Sequence, residues 1–147
     1  MAPRIYTLGS STRSAAEFLE ALAAFGVRTV VDVRRFPVSR RYPHFGGEAL
    51  ARLLRDAGAA YAWLGEDLGG YRSGGYEAYR ETEGFRRGLH RLETLAAGSP
   101  TAILCAERLP WRCHRRFIAT ALRRRAWEVV HILERDRTWA PGEGQEG

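Results

Sequence analysis

The residues best able to do chemistry in this chain fall in one stretch, Cys105-Ala-Glu-Arg-Leu-Pro-Trp-Arg-Cys-His-Arg115. It holds both cysteines of the sequence, eight positions apart, with His114 and Arg115 directly after the second. A cysteine is nucleophilic as the thiolate, a form that nearby cations or a helix N-terminus favour. The pattern places Cys105 at the end of a strand and Cys113 in the first turn of the following helix, among Arg112, Arg115 and Arg116. Thiol chemistry follows, with His114 titrating near neutrality as a proton carrier. Cys105 taken alone fits a small buried strand residue equally well. The second cysteine and the adjacent histidine favour function.

Two other chemistries fit less well. Cys105, Cys113, His114 and His44 are acceptable zinc ligand types, but neither a C-x2-C nor an H-x3-H pair is present. Adjacent helical residues also point about 100° apart. A phosphatase-like or rhodanese-like loop places a cysteine after a strand to cradle an anion. Here the loop has no glycine, and Glu107 would oppose a bound oxyanion.

A second segment, Asp32-Val-Arg-Arg-Phe-Pro-Val-Ser-Arg-Arg-Tyr-Pro-His-Phe45, carries the complementary residues. Asp32 closes an apolar run, where a carboxylate needs a partner, and Arg34 or an arginine of the other loop supplies it. Arg34, Arg35, Arg40 and Arg41 are forked donors suited to phosphate or carboxylate. Tyr42, Phe45, Trp63 and Tyr71 could stack on a base or sugar. His44 is a second acid–base candidate. His90 and His131 read as structural, and Arg123-Arg-Arg125 as a solvated helix end.

The elements that must position these residues follow from periodicity. Arg4–Leu8, Arg28–Val33, Ala60–Leu64, Thr101–Leu104 and Trp127–Leu133 read as strands. Ser14, with Glu17 three residues on, opens a helix that ends at Gly26. Further helices are expected over 47–57, from Tyr76 to Ala97 with an interruption near Gly84, and from Pro110 to Arg125. Gly65–Gly75, with five glycines, reads as a mobile loop, and 134–147 as a disordered tail. The alternation defines one α/β domain over 1–133, with a mostly parallel five-stranded sheet and helices on both faces. Sites in such sheets lie beyond the strands' carboxyl ends. Gly9–Thr12, Asp32–His44 and Cys105–His114 should therefore converge on one rim.

The 147 residues suffice for one core, burying roughly 68–70% of the extended-chain surface. No apolar run approaches the ~20 residues of a membrane span, and the N-terminus enters a strand at once, so a cytoplasmic location is expected. The net charge of +6 suggests anionic partners, a small molecule or nucleic acid. All 23 basic residues are arginine, however, a bias that can reflect genome composition instead. Two cysteines make no disulfide framework.

Four stretches carry a family resemblance: Ile5-Tyr-Thr-Leu-Gly, Asp32-Val-Arg through Ser39-Arg-Arg-x-Pro-His-Phe45, Leu68-Gly-Gly70, and Cys105-Ala-Glu…Trp-x-Cys-His-Arg115. Together they resemble the DUF488 family over about residues 4–133. The resemblance implies a cytoplasmic α/β domain and no particular activity. By position, its motif residues fall on Gly9, Asp32, Arg34, Pro37, Ser39, His44, Phe45, Cys105, Glu107, Cys113, His114 and Arg115. The chain departs from its relatives twice. Gly9-Ser10-Ser11 stands where relatives commonly read Gly-His-Ser, and Leu109 stands where they often place an aspartate able to cap the helix.

The combined expectation is a cysteine-dependent enzyme for a phosphorylated, nucleotide-like or other anionic substrate, without metal or cofactor. Cys105, Cys113, His114, His44, Asp32 and Glu107 would carry the chemistry. Gly9, Ser10, Arg34, Ser39, Arg40, Phe45, Arg112 and Arg115 would bind substrate. The alternatives are a nucleic-acid-binding or regulatory module braced by the Cys-His element, and a dithiol redox switch. The oligomeric state is left open.

Overall fold

Strands that are apolar on both faces need cover on both sides, and this chain supplies it. The computed structural model describes residues 3–141. Its strands are β1 (Arg4–Gly9), β2 (Thr29–Asp32), β3 (Ala60–Trp63), β4 (Thr101–Cys105), β5 (Glu128–Glu134) and β6 (Arg137–Trp139), in the order β3-β2-β4-β1-β5-β6. All neighbours run parallel except β5 and β6. The mostly parallel α/β fold is as the sequence implies, with one strand more than expected. That sixth strand is too short and polar to show a period, and it forms by hairpin pairing against β5. Residues 142–147 of the expected tail lie outside the described residues.

Helices α1 (Ala15–Ala24) and α2 (Gly47–Asp56) cover one face. There Phe18, Leu22, Leu50 and Leu54 pack on Leu8, Val30, Leu104 and Ile132. The other face carries α3 (Gly65–Leu68), α4 (Tyr76–Tyr79), α5 (Glu83–Gly98) and α6 (Arg115–Arg124). These helices bury Leu68, Phe85, Leu92 and Ile118 against Ile5, Val31, Ile103 and Val129. Successive strand residues face opposite ways. Leu104 thus joins the first layer, while Ile103 and Cys105 join the second. This parity turns the Cys105 sulfur toward α6.

Three local expectations need correction. The first half of the glycine-rich segment is tied down, while Tyr71 and Ser73 to Gly75 are exposed: Gly65 and Asp67 to Gly70 are buried, Arg72 bonds the carbonyls of Gly65, Glu66 and Gly69, and Asp67 pairs with Arg87 at 3.0 Å. The interruption expected near Gly84 in the helix from Tyr76 falls instead at 80–82, where Thr82 caps α5 through the Phe85 N–H. The helix expected from Pro110 is a 3-10 turn, Pro110–Arg112, separated from α6 by Cys113 in extended backbone (φ −124°, ψ 149°). Among the described residues, no helix is long and apolar enough to cross a membrane.

The topology determines where a site can form. The chain leaves β1 through α1 on one face to reach β2, and leaves β4 through α6 on the opposite face to reach β5. The adjacent strands β1 and β4 therefore send their connections apart, which opens a crevice at their carboxyl ends. The loops stay joined beneath it, with Ser10 N–H on the Cys105 carbonyl and Ser11 N–H on that of Ala106, both 2.8 Å. Gly9 permits this approach, because a Cβ there would lie 2.0 Å from the Glu107 carbonyl oxygen. Gly9→Ala should cost about 3 kcal/mol or more by urea denaturation, since backbone must move. Gly98→Ala, where a Cβ meets nothing within 4 Å, should change stability by less than about 1 kcal/mol.

Candidate functional site

β4 ends with Cys105 beneath the crevice, in register with Gly9. Because Cys113 sits in extended backbone rather than in a helix, its side chain folds back under the turn. The two sulfurs lie 2.7 Å apart, both buried. Arg115, one turn into the same connection, points inward and is fully buried. Its Nη1 reaches Cys105 Sγ at 3.1 Å and its Nη2 the Arg108 carbonyl at 3.0 Å, while Nε has no hydrogen-bond partner among the described residues. No carboxylate among them lies within ion-pair distance of Arg115. A buried cation needs an anion. The Cys105 sulfur is the group placed to supply it.

The ionisation of the pair follows. Burial opposes the Cys105 thiolate, but the hydrogen bond from Cys113 and the Arg115 charge outweigh it and bring the thiol down to about 7. Cys113 is held well above the ordinary thiol range by donating to Cys105, by burial and by the neighbouring negative charge. Of the two thiols, Cys105 is the one favoured to ionise, and through Arg115; Cys113, outside the helix, gains nothing from a helix N-terminus. His114 Nε2 donates to the Val33 carbonyl at 3.1 Å, which leaves Nδ1 as an acceptor 3.7 Å from Cys113 Sγ. Burial pushes the His114 imidazole below its usual range, so it stays neutral and able to take a proton.

The facing loop is built on a second buried pair. Asp32 accepts from Arg34 Nε and Nη2 at 2.9 and 2.7 Å, from the Arg34 backbone N–H, and from the Tyr61 hydroxyl at 2.6 Å. Trp63 Nε1 fastens the Arg34 carbonyl at 2.7 Å. Desolvation and the Asp32 bond raise the Tyr61 hydroxyl, which keeps it a donor. Leu68-Gly69-Gly70 packs between the two walls. A Cβ at Gly69 would meet Arg35 Cα at 2.6 Å, and one at Gly70 the His114 ring at 3.4 Å.

The walls enclose an open cleft of about 800 Å³ with Cys105 and Cys113 at its floor. The three strand-end segments meet here. Ser10, Arg34, Ser39, Glu107, Arg112 and His114 line it. Asp32 and Arg115 lie beneath it, each holding a lining residue. Other candidates lie apart from the thiols. Phe45 is core, edge-on to Phe18. His44 Nε2 is bound to the Arg13 carbonyl at 3.0 Å with its ring on Phe45, so it does not serve the thiols. Arg40 is exposed and does not line the cleft. Glu107 turns its carboxylate onto the Leu109 N–H at 3.2 Å, and the Pro110–Arg112 turn that follows has no side-chain cap.

Arg35, named as an anion donor, lines the cleft, and Trp63, named for stacking, instead braces the Asp32 pair; residues missed as part of the site are Phe36, Val38, Ser11, Gly70 and Ala106, which line the cleft, and Tyr61, which braces the Asp32 pair. Tyr61 was detectable, as a polar-tipped residue on the strand beside Asp32. The others are contributed by loop geometry. Among the described residues, no three His, Cys, Asp or Glu side chains are placed to hold a metal ion.

The fold and site define an α/β domain with a buried dithiol at a topological switch point. Residues 14–122 match the family model described as a domain of unknown function, DUF488, and the chain belongs to that family. Comparison with curated proteins and with solved structures finds no match.

Because Arg34 is buried with Asp32 as its counter-charge, Asp32→Ala should destabilise the domain by roughly 3–5 kcal/mol in chemical denaturation. A loss below about 1 kcal/mol would show the pair to be dispensable.

Proposed function

We propose that the protein is a cysteine-dependent enzyme in which Cys105 is the attacking thiolate and Cys113 the resolving thiol, acting on a small anionic substrate. The observation that carries this reading is the buried Arg115 cation whose partner is the Cys105 sulfur, itself 2.7 Å from Cys113. A thiolate stabilised in place is a ready nucleophile, and a second thiol at that distance resolves any adduct it forms.

The chemistry best suited to such a pair is reduction of a disulfide or peroxide. The Cys105 thiolate donates an electron pair to one atom of the substrate's S–S or O–O bond, and the other atom leaves as thiolate or alkoxide and takes up a proton. Cys113 then gives its proton to His114 Nδ1 and attacks the Cys105 sulfur. A Cys105–Cys113 disulfide forms, and the second half of the substrate leaves with that proton. The substrate gains two electrons and two protons: the dithiol supplies both electrons and the Cys113 proton, and solvent supplies the proton taken up by the first leaving group. A low-molecular-mass thiol restores the reduced pair.

Access and charge support the substrate class. Cys105 is 1% exposed, so the S–S or O–O bond of a small, flexible molecule reaches it more readily than one on a protein surface does. Arg112 lines the mouth and makes no side-chain hydrogen bond or ion pair among the described residues. It and Arg35 suit a carboxylate or phosphate on the substrate.

The test is reaction of the reduced chain with glutathione disulfide, followed by intact mass. Wild type should lose two hydrogens and release two glutathione thiols, Cys113→Ser should stop at a glutathione adduct, and Cys105→Ser should stay unmodified. Arg112→Ala should slow the wild-type reaction about threefold, the worth of one exposed charge. A Cys105→Ser protein that reacts as wild type does would overturn the assignment.

A further inference from the structure

A second cleft, of about 430 Å³, opens on the α6 side of the sheet, beside β5 and β6. Phe117 in its wall is flanked by two guanidiniums, Arg116 4.7 Å and Arg80 5.5 Å from the ring centroid. The indoles of Trp111 and Trp139, in contact at 4.8 Å, form its apolar end. Arg123 adds a third guanidinium and donates to His131 Nε2 at 3.1 Å. This corrects the expectation that 123–125 is simply a solvated face. His131 is neutral: burial and the Arg115 and Arg123 charges bring it down to about 3. Its Nδ1–H is spent on Thr7 Oγ1 at 2.7 Å. The histidine thus orients Arg123 without adding charge.

Among the described residues, three cations meet here without a counter-ion. Among the described residues, Arg80, Arg116 and Arg123 form no ion pair. Glu77 is the one acid lining the cleft; it is exposed and pairs with none of them. Arg80 is half-buried, and its Nε is shielded from solvent with no hydrogen-bond partner. The terminal nitrogens of Arg80 likewise make no hydrogen bond among the described residues, so beside two other cations they suit an acceptor from outside. The aromatic surfaces call for a flat, apolar group beside that acceptor.

We infer that this cleft binds a nucleotide, with its base against the Trp111 indole, which Trp139 backs, and its phosphates on Arg80, Arg116 and Arg123. The volume lies within the range of sites for small ligands and suits one nucleotide better than a run of strand. The inference is independent of the thiol chemistry, since no residue lines both clefts.

Titration of the full chain with ADP, by calorimetry and tryptophan emission, tests it. The expected result is one saturable site with an emission change that Trp111→Phe reduces. Arg80→Gln and Arg116→Gln should each weaken binding about tenfold, and Arg112→Gln in the thiol cleft should leave it unchanged. Inorganic phosphate should bind more weakly than ADP, because it lacks the ring. Several results would overturn the inference: no binding at millimolar ADP, phosphate binding as tightly as ADP, or binding weakened by Arg112→Gln but not by Arg80→Gln. Binding of an oligothymidylate but not ADP would also overturn it.

Discussion

A guanidinium at zero exposure with no carboxylate partner among the described residues is the constraint on which this molecule turns. Arg115 lies under the end of β4, one hydrogen bond goes to a backbone carbonyl, and its remaining close partner is sulfur. Burying a charge is costly unless it is compensated. The Cys105 sulfur is the group placed to meet that cost as an anion, and under the proposed function that same ionised form is the one that attacks.

That contact depends on several others. Strand parity aims Cys105 at the α6 layer, and the extended backbone at Cys113 brings the second sulfur back to it. Gly9 lets the β1 and β4 loops lie carbonyl to backbone. The Asp32–Arg34 pair, braced by Tyr61, fixes the opposite wall, and the Leu68-Gly69-Gly70 segment spaces that wall from His114. The turn Pro110–Arg112 separates the two clefts: Trp111 contributes to one and Arg112 to the other.

Much of this was legible in the sequence, for identifiable reasons. Apolar β-branched runs announced a parallel sheet, and its topology implied that three strand-end segments would meet. Asp32 in an apolar run demanded a cation, and Arg34 is that cation. Two cysteines in one strand–loop–helix could hardly lie far apart. What could not be read was direction. Arg112, Arg115 and Arg116 look alike in sequence, and only the phase of α6 against the sheet decides that Arg115 turns inward. Cys113 looked helical because Pro110 suits a helix start, yet the turn ends before it. The glycine run from Gly65 looked mobile because its restraints, Arg72 on backbone carbonyls and Asp67–Arg87, are long-range or side-chain bonds without a periodic signature.

The thiol pair with its arginine is the central claim, and its ionisation is directly measurable. Thiolate ultraviolet absorbance of the reduced protein, followed across pH, should show one thiol half-ionised at about 7. The step should move upward in Cys113→Ala, where the hydrogen bond to the thiolate is gone, and vanish in Cys105→Ala. A wild-type midpoint at the ordinary cysteine value of about 8.5 or above would contradict the account.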